Sequence, residues 1–168
     1  VQLDLIRTMY DYTYWAHARL LAAAARLNDH DFAATPLAGL GSVHSILAHT
    51  LGAERVWLRR WRRDAPIGML QPAEVPTFAA LQALWQESEP ELRAFLAGLQ
   101  EDDLSEVISY HNLSGVAMAN QLGPMMLHVA NHGTQHRSEV AALLTAFGQS
   151  PGDLDLINFV RERANSGQ

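Results

Sequence analysis

Histidine spacing is the first sign of chemistry in this chain. His128, His132 and His136 recur every four residues in the segment 127–137. On a helix turning about 100° per residue, the outer two lie about 40° to either side of His132. Met125 and Leu143 fall within about 20° of the same direction, so the three imidazoles point into an apolar stripe. Burying such rings without partners costs kcal/mol apiece, so they need hydrogen bonds or a metal ion. Histidines at i and i+4 are spaced to hold one cation, because their side chains meet over one turn.

A third ligand must come from another helix. His49 is the best candidate, since Ile46, Ala53 and Val56 put it on the inward face of a second helix. His49, His132 and His136 would then be three neutral nitrogen ligands, the pattern of open catalytic sites that keep a place for water or substrate. The ion would be a divalent transition metal. Zinc and nickel head the candidates, with iron, manganese and copper also able to bind imidazole. His128 is expected to be a nonligand near the pocket mouth, because Pro124 starts the helix only about one turn before it. His17 is read as a core residue, His44 lies on a different face, and His30 and His111 are placed in loops.

Glu139 follows His136 by three residues and lies about 20° from His132 in helical phase. Its carboxylate is expected on the metal-bearing side, meeting the free N–H of a ligating histidine, an ordered water or inward His17. The alternative is that the side chain bends to solvent. Two familiar metal motifs are absent. Gly133 stands where a zinc protease's H-E-x-x-H needs glutamate, and no histidine has the preceding acid of a di-iron Glu-x-x-His. Residues 148–152 match G-x-S-x-G but follow a helix rather than the strand a nucleophile elbow needs.

The elements that must position these groups are helical. Leu3, Ile6, Tyr10, Thr13, His17, Leu20, Leu21 and Ala24 form one face of a first helix that should end near Asn28 in a left-handed cap. Ser42 caps a second, which ends in Arg59, Arg60, Arg62 and Arg63; helix capping and solvation account for this basic run. Thr77 caps a third that runs to Gly98, with Pro90 expected to kink or break it. Residues 107–110 and 116–118 flank a turn and read as a short hairpin. The fourth helix has Pro124 in its first turn and Gly148 at its C-cap, and Asp153 could cap a short fifth.

Four long amphipathic helices in 168 residues predict one all-α domain over residues 1–168, a four-helix bundle. Residues 64–76 could span about 40 Å extended, more than the roughly 33 Å of the second helix. A long crossover between parallel second and third helices is therefore feasible.

Composition removes other classes of function. Apolar residues make up 48% and charged residues 18%, which excludes a disordered chain. The longest purely apolar run is residues 20–25, far short of the roughly 20 residues a bilayer span needs. All 12 basic residues are arginine, against 18 acids, and the net charge of −6 disfavours nucleic acid. Zero cysteines leave no thiolate ligand or cysteine nucleophile. The N-terminus lacks a basic and apolar leader pattern, so a cytoplasmic address is expected.

Several segments resemble, in order, those of the DinB family, the DNA-damage-inducible bacterial four-helix-bundle proteins. Residues 14–21, Tyr-Trp-Ala-His-Ala-Arg-Leu-Leu, look like the family's first-helix signature. Residues 46–57 resemble its second-helix motif, with His49 as the first metal histidine. Residues 127–137 look like its H-x-x-x-H-x-x-x-H-R segment, in which His132 and His136 complete the triad. Residues 151–155, Pro-Gly-Asp-Leu-Asp, resemble its C-terminal turn. The family commonly continues His-Arg-Gly-Gln, whereas this chain has His136-Arg137-Ser138-Glu139, a change around the ligands rather than in them.

The resemblance implies a metal-dependent enzyme that transfers or activates a low-molecular-weight thiol, as relatives using bacillithiol or mycothiol do. The nucleophile would be a thiol or a water acidified by the ion. A metal-dependent hydrolase is the alternative, as is a noncatalytic stress or binding protein whose ion staples the bundle. The expected partner is a small molecule, with no nucleic acid and no membrane; assembly as a homodimer is compatible with this.

Overall fold

The structure is a computed structural model and describes residues 2–167. Its long helices are α1 (Gln2–Ala24), α3 (Val43–Trp61), α4 (Phe78–Gly98) and α5 (Leu122–Ala146). Two short helices, α2 (Asp29–Ala33) and α6 (Leu156–Asn165), a hairpin, β1 (Val107–His111) with β2 (Ala117–Gln121), and two 3-10 turns, Pro72–Glu74 and Glu101–Ser105, complete it. The four long helices form the expected bundle.

Side-chain contacts fix its topology. Tyr10 donates to the Met126 carbonyl at 3.0 Å and Arg26 to Gln149 at 2.7 Å, so α1 and α5 run parallel. Trp61 stacks on Phe95, while His44 near the start of α3 meets the Val75 carbonyl just before α4. Helices α3 and α4 are therefore parallel to each other and antiparallel to the first pair. The segment between them returns along α3 as the long crossover. Leu70 seats on Gly52, where an added Cβ would stand 2.9 Å from the Leu70 Cβ and 3.0 Å from its backbone nitrogen. Only glycine permits that approach.

Helix starts follow their caps. The Ser42 and Ser45 side chains bond reciprocally to each other's backbone N–H, and Thr77 accepts from Ala80. Gly148 takes a φ of 72° one residue past the last turn of α5. Three local expectations are corrected. Asn28 does not end α1 in a left-handed cap; its φ is −76° and it caps α2 by accepting from Asp31, so His30 lies on a helix and not in a loop. Asp155, not Asp153, stands at the start of α6. Helix α4 also continues through Pro90, which is solvent-exposed, so water can meet the carbonyl that the ring leaves unpaired.

The hairpin pairs antiparallel, with Val107 opposite Gln121 and His111 opposite Ala117. His111 thus ends a strand rather than lying in a loop. Asn112 turns the chain by accepting from the backbone of Ser114 and Val116, and Gly115 takes a φ of 79°.

The core is apolar at both ends of the bundle and polar at its waist. One cluster gathers Leu3, Ile6, Tyr10, Leu58, Trp61, Leu96 and Met126; a second gathers Leu20, Val43, Leu47, Leu51, Leu81, Leu143 and Leu144, and a small third seats Phe159 of α6 on Tyr12 and Ala16. Each fully buried leucine contributes about 1.5–3 kcal/mol. Between the clusters lie Thr13, His17, Glu54 and Arg137, all buried or nearly so.

Candidate metal centre

His49 comes from α3, and His132 and His136 from successive turns of the antiparallel α5. The His132 Nε2 lies 3.2 Å from the His49 Nε2 and 3.1 Å from the His136 Nε2. One nitrogen from each residue falls within 4.8 Å of the other two, the one such group among the described residues. The three side chains are half-buried and face one another at the waist of the bundle.

Hydrogen bonding orients His136. The His136 Nδ1 is 2.6 Å from the Glu139 Oε2. A carboxylate accepts, so Nδ1 carries the proton and Nε2 presents its lone pair to the centre. Of the partners expected for Glu139, the structure gives it His136. His17 instead turns its Nδ1 toward Glu54 at 3.9 Å.

Burial disfavours a proton on two of the three rings. Burial, followed by the neighbouring His136 and His49, lowers His132 to about 4. Burial and then His136 lower His49 too. Three converging imidazole nitrogens form a donor set for a cation. This fits a divalent metal and offers no thiolate or carboxylate ligand.

His128 stays outside the group. It is exposed, its ring centroid is 6.0 Å from that of His132, and it packs edge-on against Trp57 at 5.3 Å. It lines a recess of about 350 Å³ with Trp57, Tyr110, Asn120, Pro124 and Met125. The hairpin supplies two of these walls. His44 is held by the Val75 carbonyl at 2.8 Å, far from the centre in role as well as in face.

Sequence reasoning missed two residues behind the ligands. Arg137, only 3% exposed, donates to Thr134 at 2.7 Å and to Thr13 at 3.4 Å, with its guanidinium 5.0 Å over the Tyr12 ring. A Cβ on Gly133 would stand 2.8 Å from the Arg137 Nη1, so glycine makes room for this buried cation. Glu54 faces the same interior, where burial outweighs Arg137 and raises its carboxyl to about 8. Arg137 directly follows His136 in the sequence, and that position was the available signal for it.

The chain's likeness to known proteins agrees with this architecture. The family model for the DinB family matches residues 2–165. A curated relative, Protein DinB of Bacillus subtilis (strain 168), is 20% identical over 166 residues, covering 94% of this chain and 95% of the relative. The crystal structure of a conserved protein from Enterococcus faecalis is 13% identical, with a TM-score of 0.64, covering 82% of this chain and 94% of that one. YfiT from Bacillus subtilis, described as a probable metal-dependent hydrolase with an unusual four-helix bundle topology, is 16% identical, with a TM-score of 0.63 and 89% of each chain covered. At these identities the two solved structures establish the fold. No helix among the described residues is long and apolar enough to cross a membrane.

Proposed function

The chain belongs to the DinB family, and from that premise we propose that it is a metal-dependent enzyme acting on a small molecule, with His49, His132 and His136 holding one divalent transition metal. The observation that carries this reading is the convergence of three imidazole nitrogens, 3.1 and 3.2 Å from neighbour to neighbour, on one half-buried point. An ion bound there would supply Lewis acidity, lowering the pKa of a water or thiol and polarising a substrate oxygen. Glu139 fixes the tautomer and orientation of His136, and the low proton affinity of His132 and His49 keeps both available as ligands near neutral pH.

Hydrolysis is the reaction we favour, because YfiT, of the same fold, is described as a probable metal-dependent hydrolase. Transfer of a low-molecular-weight thiol is the second reading. The recess beside His128 has room for such a cosubstrate, and a chain with zero cysteines must take any sulfur nucleophile from outside. The site lies in a bundle whose address we take to be the cytoplasm.

Untagged protein is reconstituted separately with zinc, nickel, manganese and iron, then assayed on ester, amide and electrophilic thiol-acceptor panels, with and without added thiol. Hydrolysis that needs the metal and no thiol supports the first reading. Turnover only with thiol supports the second. Metal binding without turnover on any panel would leave the ion as a staple.

A further inference from the structure

We infer that the recess between α3, the hairpin and α5 holds the substrate's organic part, and that the substrate is a small anion with an apolar or aromatic body, its acidic group received by Arg60 and Asn120. The inference rests on the metal-centre reading for where the reaction occurs; the recess itself stands on separate residues.

Its position is the first argument. His128 is a wall of the recess, and its ring centroid is 6.0 Å from His132. A molecule lodged there lies one side chain from the candidate metal centre. Its lining is the second. Trp57 and Tyr110 meet at 5.4 Å between centroids in an edge-to-face pair, and Met125 and Pro124 complete an apolar surface. Such walls favour an aromatic or aliphatic body.

Charge is the third argument. No acid lines the recess. Arg59, Arg62 and Arg63 pair with Asp64, Glu91 and Glu106, whereas among the described residues no carboxylate lies within ion-pair distance of Arg60. The Arg60 guanidinium packs instead over the Trp57 ring at 4.5 Å and the Tyr110 ring at 4.8 Å, with one contact to the His111 carbonyl at 3.4 Å. Its other N–H groups remain for an acceptor. The Tyr110 hydroxyl donates to the Asn120 Oδ1 at 3.0 Å, which turns the amide so that its two N–H donors are free. On a chain of net charge −6, a cation without an acid partner beside an acid-free recess selects an anion.

Benzoate, benzyl alcohol and benzylammonium, three probes of similar size, test this by titration into zinc-loaded protein and into the His132→Ala variant. The indole N–H resonance of Trp57, assigned with Trp57→Phe, reports occupancy. Benzoate should move it in both proteins and bind about tenfold tighter than benzylammonium. Arg60→Gln should remove most of that preference while benzyl alcohol binds as before, and Asn120→Ala should reduce it. Tighter binding of benzylammonium, an unmoved Trp57 resonance, or an undiminished preference in both variants would overturn the inference. Zinc binding without benzoate binding discards the recess and keeps the centre; benzoate binding by a protein that takes no zinc does the reverse.

Discussion

The Glu139 carboxylate accepts from the His136 Nδ1 at 2.6 Å across three residues of one helix. This contact gives the Glu139 carboxylate a physical role beside a candidate ligand. A carboxylate on the far nitrogen raises the basicity of the near one and stops the ring from rotating.

Glu139→Gln should therefore weaken metal affinity by about 10–100-fold while leaving the fold intact. A competition titration against a chelator reads the affinity, and far-UV circular dichroism checks the helices. Unchanged affinity would make Glu139 a surface residue whose contact with His136 is incidental.

Glu54 sets an alkaline limit on stability. Its carboxyl faces Arg137 on α5, Glu89 on α4, and His17, Tyr10 and Tyr14 on α1; burial dominates and raises it from 4.5 to about 8. Between those values the folded protein holds a proton that the unfolded chain releases, so rising pH favours unfolding. His17 is shifted the other way, lowered by burial and then by Arg137, so it opposes this trend only below about 6.5. Thermal melts of chelator-treated protein should show stability falling from pH 6.5 to 8, and Glu54→Gln should flatten that slope and melt higher at pH 8. A variant that tracks the wild type across the window would show that Glu54 is ionised in the fold.

Gly52→Ala tests the seat of the crossover. The new methyl would meet Leu70, including its backbone nitrogen at 3.0 Å, and the Met69 sulfur at 3.3 Å. Overpacking of this kind costs about 1–3 kcal/mol, or several degrees in melting temperature for a chain of this length. An unchanged melt would mean that the crossover does not press on α3 at this point.

The bundle was legible because its signals are local. Ser42, Thr77 and Gly148 mark helix ends by hydrogen bonds and dihedral angles that a few neighbouring residues determine. The crossover was legible only as a length allowance; the Gly52–Leu70 contact that fixes its path joins residues 18 apart and leaves no period in the sequence. Pro90 misled because propensity carries no information about which side of a helix faces water. Asn28 serves equally well at either end of a helix, and the five-residue α2 that decides between them is too short to show periodicity.

At the site, helical phase brought His132, His136 and Glu139 to one side of α5, and inward neighbours singled out His49. The buried Glu54 and Arg137 were not found, since a charge inside a core breaks the hydrophobic pattern from which a core is read. The recess was beyond reach as well, being assembled from residues of α3, the hairpin and α5 that lie far apart in the chain.

Metal content of untagged protein, by elemental mass spectrometry after dialysis, tests the central claim most directly. The account predicts about one divalent transition metal per chain in the wild type, and loss of stoichiometric metal in His49→Ala, His132→Ala and His136→Ala, with retention in His128→Ala. A wild-type protein that binds none after reconstitution, or full retention in the three variants, would contradict it.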